Sequence, residues 1–306
     1  MEFIPVRIGT LRPWQPVNFD VFIKIGERHV HYIRKEDPFD GDRIASLKAK
    51  GVKKLFVPKE AEGYYLAYLD AGLGQLRDTK LALNDRADIA RDAITTTAES
   101  AAEKIQTEAG YRATEGQVGK VLDFLVSEQG AMRQMLSTSG FATDVSQHSA
   151  NVVTLSVKLA SSLGLPNADL LMIGTAALIH DIGKEGLGLD PNIPREQLTP
   201  DQKIIYQKHP ETAISKLMDK PYISKAILEH VLNHEEIGDG AGFPGKKRVN
   251  TLPKTQQILN LCNEYDRMCT VNKVNPMDAM KQFYIDKLGL FDMELLKALG
   301  AIIQAK

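Results

Sequence analysis

Cysteine is nearly absent from this chain. Two thiols, Cys262 and Cys269, occur in 306 residues. They lie seven positions apart in a helical pattern, roughly 10 Å of axial rise, which excludes a bridge within one helix. So few thiols also exclude a disulfide framework and argue against a structural zinc site. The two are expected as buried, reduced thiols of a cytoplasmic protein. An excess of either charge is missing too: 38 Lys and Arg stand against 39 Asp and Glu, a formal net charge of -1. Nothing global therefore attracts duplex nucleic acid or an anionic membrane, and any grip on phosphate has to be local. No long apolar run exists. The longest stretch nearly free of polar residues, Leu170 to Ile179, is too short to span a bilayer. The start, Met1-Glu2-Phe3-Ile4-Pro5, lacks the basic residues and long apolar segment of a signal peptide. Internal repeats and low-complexity segments are missing as well.

What is present suits a packed protein of two domains, with 43% hydrophobic and 25% charged residues. Residues 1–74 read as a small α/β module of regulatory type. Phe19 to Ile25 is strand-like, Gly26-Glu27 turns the chain, and Arg28 to Ile33 alternates with period two. Asp40 to Lys50 reads as a helix with Ile44 and Leu47 on one face, and Gly51 to Pro58 as a closing strand. His29 and His31 share a strand face, where packed or solvated histidines are commoner than a metal pair.

Residues 75–139 read as a helical linker. Ala87, Ala90, Ile94, Ala98, Ala101 and Ile105 recur at three and four, a narrow small-residue seam. It suits either a plain spacer or a surface for a second copy or a protein partner. Gly110, Gly116 and Gly119 weaken the end of that helix, and Val118 to Met135 reads as another, stopped by Ser137-Thr138-Ser139-Gly140.

Residues 140–306 read as helices with short breaks. Thr143 or Asp144 is placed to cap a helix carrying His148. Asn167 is placed to cap the next, which is apolar almost all round and so central. It runs into Leu178-Ile179-His180-Asp181-Ile182-Gly183-Lys184. Thr199-Pro200-Asp201-Gln202 has the form of a capping box opening a helix that reaches His209. His230 and His234 lie four apart on one helix from about Tyr222. Pro253 to Thr270 and a segment after Asp292 complete the helices.

Five of the seven histidines thus fall between 148 and 234, on or near apolar faces, together with a His-Asp dipeptide. Imidazole and carboxylate suit Fe, Mn, Zn or Ni. A carboxylate such as Asp181 can bridge two ions, and paired ions about 3.5–4 Å apart hold hydroxide and phosphate for in-line attack. The residues alone point to a helical metallohydrolase acting on a phosphate ester.

The order His148, His180-Asp181, His209, His234 resembles the HD superfamily of metal-dependent phosphohydrolases. His180-Asp181-Ile182-Gly183-Lys184 matches the HDIGK motif of its HD-GYP family, and Asp239-Gly240-Ala241-Gly242-Phe243-Pro244 resembles that family's DGxGYP loop. Tyr265 to Thr270 resembles a later YDALTS-like stretch, and Phe291 to Leu296 the start of the closing helix. The first 74 residues are similar to a domain often found ahead of HD-GYP domains. The resemblance implies a mainly α fold, an all-helical metal-binding bundle over 140–306 preceded by the α/β module. It implies hydrolysis of cyclic di-GMP to a linear dinucleotide at two divalent ions, iron first and manganese second.

Carried over residue by residue, the resemblance puts His148, His180, Asp181, His209, His234, Glu235 and Asn263 at ligand positions. Asp181 and Lys184 take the catalytic roles, and Asp144 falls where some members place a ligand for a third metal. Lys184, Asp239, Gly240, Gly242, Phe243 and Lys273 are assigned to substrate. The departures are a Phe243 that lacks the motif's phenol, Glu235 in place of a second His, and Asn263 in place of an Asp. The Arg usual after the YDALTS-like stretch is missing, with Lys273 nearby but no bidentate fork. His230, Glu235, Asn263 and Asp266 remain open as completions of the site. The exposed-looking Lys246-Lys247-Arg248 reads as a solvated loop before a phosphate contact. Hydrolysis ranks first. A nucleotide- or protein-binding scaffold ranks second, and another HD chemistry, on a different phosphate or on oxygen, third.

Overall fold

The computed structural model describes residues 1–12, 15–37, 41–139 and 141–305, with the side chains of 138 and 139 left aside. Asp40 and Gly140, read above as helix ends, lie outside the described residues. The chain forms two compact units, Met1–Thr96 and Thr97–Lys306.

The first unit holds a four-stranded antiparallel sheet: β1 (Phe3–Arg7), β2 (Val21–Ile25), β3 (Arg28–Ile33) and β4 (Lys54–Pro58), in the order β1-β4-β2-β3. Strand β1 is absent from the sequence reading because Pro5 interrupts its pattern. On an edge strand a proline's missing N–H is tolerable, and Pro5 sits opposite Phe56 there. Helix α1 (Gly41–Ala49) lies between β3 and β4, with Ile44 buried and Leu47 packed on the same core. Helix α2 (Glu62–Gly74) adds Tyr65, Tyr68 and Leu69 to that core, beneath Phe19, Leu55 and Val57. Of the two strand histidines, His29 is packed, stacking on Phe3 at 4.1 Å between ring centres, and His31 is exposed and pairs with Asp20 at 3.1 Å.

Of the seam read along helix α3 (Leu83–Lys104), Ala87, Ala90, Ile94 and Ala101 are buried, Ala98 is half-buried and Ile105 lies just beyond. Burial is wider than a narrow seam, taking in Arg86, Asp92, Thr95 and Thr97. Its end differs from expectation. The break is at Ile105 to Thr107, where Thr107 accepts from the Gly110 amide and opens α4 (Glu108–Ser127). All three glycines therefore lie inside α4. Gly110 is needed for space, since a Cβ there would fall 2.0 Å from the Lys104 carbonyl oxygen. The single helix read over Val118 to Met135 is instead split at Gly130, whose φ is +83°, and α5 (Ala131–Ser139) follows.

The second unit is otherwise a helical bundle: α6 (Val145–Ser162), α7 (Asn167–Ile179), α8 (Pro200–Tyr206), α9 (His209–Leu217), α10 (Lys225–Asn233), α11 (Lys254–Asn272), α12 (Met280–Lys287) and α13 (Met293–Gln304). Helix α7 is central, packing on α4, α6 and α10 and meeting α11. Its Leu170, Ile173, Ala176, Ala177, Leu178 and Ile179 are all buried, as an apolar circumference requires. Asp144 caps α6 through the Gln147 amide, whereas Asn167 is the first residue of α7 behind Pro166 and makes no cap. The capping box of Thr199 and Gln202 forms in full, with Pro200 in the first turn. Cys262 and Cys269 are free and buried, and burial pushes the Cys262 thiol up to about 12. Among the described residues no helix is long and apolar enough to cross a membrane.

Candidate metal centre

Three helix ends converge on one point and use the same local device. The last carbonyls of a helix have no partner within it. His180 follows α7 and its Nδ1 lies 2.7 Å from the Ala177 oxygen. His234 follows α10, with Nδ1 2.6 Å from the Val231 oxygen. His209 opens α9 just past α8, with Nδ1 2.8 Å from the Tyr206 oxygen. A carbonyl only accepts, so each Nδ1 carries the proton and each Nε2 offers a lone pair inward. His148, one turn into α6, is set differently. Its Nδ1 donates to Asp266 on α11 at 2.7 Å, and Asn151 donates to the other Asp266 oxygen at 2.8 Å. This leaves His148 Nε2 facing His180 Nε2 at 3.3 Å.

Asp181 lies between these pairs. Its Oδ2 is 3.3 Å from His180 Nε2 and 3.8 Å from His148 Nε2, while its Oδ1 is 3.4 Å from His209 Nε2 and 3.6 Å from His234 Nε2. Two groups able to hold a metal ion result among the described residues, His148-His180-Asp181 and Asp181-His209-His234, all buried. Two observations fit these groups to cations. Asp181 Oδ1 is buried without a hydrogen-bond partner. His209 and His234 bring two Nε2 lone pairs within 2.8 Å of each other. Burial, and then His234, push His209 down to about 3, so His209 is not the one to carry a second proton at neutral pH. Burial works to raise the Asp181 carboxyl, but His180 and Lys184 outweigh it and hold Asp181 well below the usual range, so it stays an anion.

The remaining candidates separate. Asn263 Oδ1 lies 2.9 Å from His148 Nε2 and its amide nitrogen faces the His234 carbonyl at 3.4 Å, so its oxygen joins the first triad. Asp266 holds His148 and lies behind the nitrogen that faces the site. Glu235 Oε1 is 4.0 Å from His209 Nε2, and the carboxylate also accepts from Tyr206 at 3.1 Å and Arg195 at 3.0 Å. Burial raises Glu235, but Arg195 outweighs it and lowers the group. His230 is turned away, with Nδ1 at the Ala226 oxygen and Nε2 at Thr255 Oγ1, 3.0 Å distant.

A pocket of about 310 Å³ opens over the first triad and is lined by His148, Lys184 and Lys273. Asp144 lines it too. Lys184 Nζ bonds Asp181 Oδ2 at 2.5 Å and lies over the Tyr206 ring. Asp239, Gly240, Gly242 and Phe243, assigned above to substrate, are not among the pocket's lining. Asp239 faces Arg248 across an isolated backbone β-bridge. Gly240 has φ +88°, and Gly242 is pressed so closely on the Glu235–Ile237 backbone that a Cβ would lie 2.2 Å from the Glu235 oxygen. Phe243 packs edge-on against His209 and Tyr206, with ring centres 5.9 Å and 6.2 Å away. This loop backs the second triad from behind. The Lys246–Arg248 run is exposed, and Lys247 is tied to Asn233 at 2.9 Å.

Residues 131–294, more than half of the chain, match the family model described as HD domain. The chain belongs to the HD domain family. Its similarity extends to the cyclic di-GMP phosphodiesterase PA4108 of Pseudomonas aeruginosa, 30% identical over 156 residues, which cover 49% of this chain and 37% of that protein. A cyclic di-GMP phosphodiesterase of Thermotoga maritima is 29% identical over 40% of this chain and 33% of its own length. The chain thus spans about a third of the length of these curated relatives. Among solved structures, Bd1817, an HDG"Y"P protein from Bdellovibrio bacteriovorus, superposes with a TM-score of 0.85 at 26% identity, covering 99% of this chain and 100% of that one. The HD domain here is of the HD-GYP type, with Phe243 where the motif name has Tyr.

Two residues of this HD domain escape a motif-based reading. Arg195 and Arg267 both line the pocket; Arg195 lies in no motif segment, and Arg267 lies within the YDALTS-like stretch but was given no role there. The sequence signal was indirect: Arg195 is a long cation after Pro194, and Arg267 follows Asp266 on the helix that carries Asn263. Asp266 carries its own prediction. Outer hydrogen bonds to a ligating imidazole are worth about 10–100-fold in metal affinity. Asp266→Ala is expected to weaken one metal equivalent by that factor and leave the other within twofold. Calorimetric titration with Mn(II) reads this, and equal weakening of both equivalents would contradict the assignment.

Proposed function

We propose that this chain is a phosphodiesterase that opens cyclic di-GMP to the linear dinucleotide at two divalent ions, iron first and manganese second. The observation that carries the reading is the single Asp181 carboxylate shared by two imidazole pairs, 3.3–3.8 Å from all four Nε2 atoms. His148, His180, Asp181 and Asn263 would hold one ion; Asp181, His209 and His234 the other, with Glu235 beside it. An all-N/O donor set without thiolate suits iron or manganese. Such ions supply Lewis acidity toward a phosphoryl oxygen and lower the pKa of water.

The chain's own groups do the rest. The three carbonyl-anchored histidines keep their Nε2 lone pairs fixed. Lys184, at the pocket wall beside Asp181, places an ammonium where negative charge grows on the phosphate. Lys273 adds positive charge at the rim, and the Asp239–Phe243 loop acts on substrate only through His209 and Tyr206, which it backs. The division into a regulatory unit over 1–74, a helical linker over 75–139 and a phosphohydrolase domain over 140–306 belongs to the same proposal. So do a cytoplasmic location and a linker surface for a second copy or protein partner.

Protein loaded with two equivalents of Fe(II) or Mn(II) is expected to convert cyclic di-GMP to a linear dinucleotide, followed by mass spectrometry. Fully metallated protein that leaves the nucleotide intact at high enzyme concentration would sink the reading. Binding without cleavage would support a nucleotide-binding scaffold, a role favoured by the neutral Asn263 at the first triad.

A further inference from the structure

The pocket wall is far more cationic than the chain. In a protein of formal net charge -1, the side chains around one cavity include Lys184, Arg195, Arg267 and Lys273 against a single carboxylate, Asp144. Lys184 is committed to Asp181. The two arginines arrive from separate elements, a 3-10 turn at Arg195–Gln197 and helix α11. Their side chains are 29% and 12% exposed, so both are largely desolvated at the cavity edge.

Their partners do not fully offset them. Arg195 bonds Glu235 at 3.0 Å. Arg267 bonds Glu264, but Lys287 holds the same carboxylate at 2.6 Å. Three buried or half-buried cations thus share two buried carboxylates. The third anion, Glu196, reaches Arg267 from the surface with its side chain 40% exposed. Glu196 also lies 3.7 Å from Arg195 Nε, and it is the most exposed of the three carboxylates, so it is the one an incoming anion would displace. One helical turn past Arg267, Thr270 also lines the cavity, and its Oγ1 is buried with no partner among the described residues. A hydroxyl donor without an acceptor, beside two guanidinium forks whose third carboxylate is held only from the surface, describes a seat for a tetrahedral oxyanion.

We propose that Arg195 and Arg267, with Thr270, form a second anion seat in this pocket, which takes the phosphodiester not held at the Asp181 centre. The inference rests on the phosphodiesterase reading for the identity of the ligand, a cyclic dinucleotide with two phosphates, and on the pocket alone for the seat. It makes the pocket selective for two phosphates on one molecule.

The test separates seat from substrate. Metal-stripped protein titrated with inorganic phosphate in a calorimeter is expected to take up one equivalent, and R195Q/R267Q none. Metal-loaded wild type is expected to bind cyclic di-GMP at least about tenfold more tightly than metal-loaded R195Q/R267Q, since each charge-assisted fork counts heavily in a desolvated site. Retention of both metal equivalents shows that the variant is folded. Should it fail to retain them, R195K/R267K keeps both ion pairs, lacks both forks, and is expected to lose the same equivalent. Wild type that takes up no phosphate, or a metal-retaining variant that takes it up like wild type, overturns the seat. A wild type that takes up phosphate but not cyclic di-GMP leaves the seat standing and removes the proposed substrate.

Discussion

Asp181→Ala is expected to empty both metal positions at once, where any single histidine variant empties one. The reason is geometric. Oδ2 serves His148 and His180, and Oδ1 serves His209 and His234. Without the carboxylate the His148-His180 pair keeps only the neutral Asn263, and the His209-His234 pair only Glu235, 4.0 Å away and already bonded to Arg195 and Tyr206. Bound metal in protein purified without added metal should fall from two equivalents to a small fraction of one. On the proposed phosphodiesterase reading, turnover of cyclic di-GMP should fall on the order of 10³-fold or more, as for the loss of a group on which a whole catalytic unit depends. His234→Ala is the comparison: it removes one Nε2 and should retain about one equivalent at His148-His180-Asp181. Elemental analysis of both variants decides the point. Asp181→Ala retaining one full equivalent would show that Asp181 is not shared and that one triad has another anion.

The lone pairs predict how the metal-free state behaves. With every Nδ1 proton directed at a carbonyl or at Asp266, His209 and His234 face each other at 2.8 Å with nothing to bond. Cations relieve that arrangement, so metal should raise the melting temperature of the second unit by mass action. The sequence could not have told this. It placed five histidines near apolar faces but not which nitrogen each would present. His230 and His234 share a helix face four residues apart, and only the end of α10 after Asn233 separates them: His234 has a free carbonyl three residues back, at the helix terminus, while His230 is held by Ala226 and Thr255.

Legibility followed the range of the forces involved. The central α7, the Thr199 capping box and the cap at Asp144 were readable because they depend on residues within a turn of one another. Strand β1 was not, because its pairing with β4 is made fifty residues away. Asp266 was readable as a carboxylate near the site, but its role in orienting His148, 118 residues earlier, depends on how α11 crosses α6. The DGxGYP-like loop shows a motif whose presence was legible and whose placement was not. Phe243 and Gly242 pack behind the second triad and support it, outside the lining of the pocket. Arg195 shows the converse, a pocket residue that no motif marks, and Arg267 is a pocket residue in a motif stretch that assigned it no role.

Gly183→Ala is expected to be the most damaging small substitution in the HDIGK segment. Gly183 has φ −71°, open to any residue, so backbone freedom is not the requirement. Space is. A Cβ there would lie 1.9 Å from the His209 carbonyl oxygen and 2.7 Å from the Ala213 amide nitrogen, both backbone atoms of α9. Neither can rotate aside, so α9 has to retreat as a whole, and His209 goes with it from its place 3.4 Å from Asp181 Oδ1. Overpacking of this kind costs about 1–3 kcal/mol or more, which for a unit of this size lowers the melting temperature by roughly 2–4 °C per kcal/mol. The displaced His209 should cost one metal equivalent while His148-His180-Asp181 retains the other. Gly186→Ala is the control from the same segment: its Cβ would meet only the Thr212 methyl at 3.1 Å and the end of Lys216 beyond, groups able to move. It is expected to keep two equivalents and melt within about 2 °C of wild type, a shift of under 1 kcal/mol. If Gly183→Ala also keeps two equivalents and the wild-type melting temperature, the seating of α9 on Gly183 does not position His209, and the glycine of the motif has to be explained by something other than space.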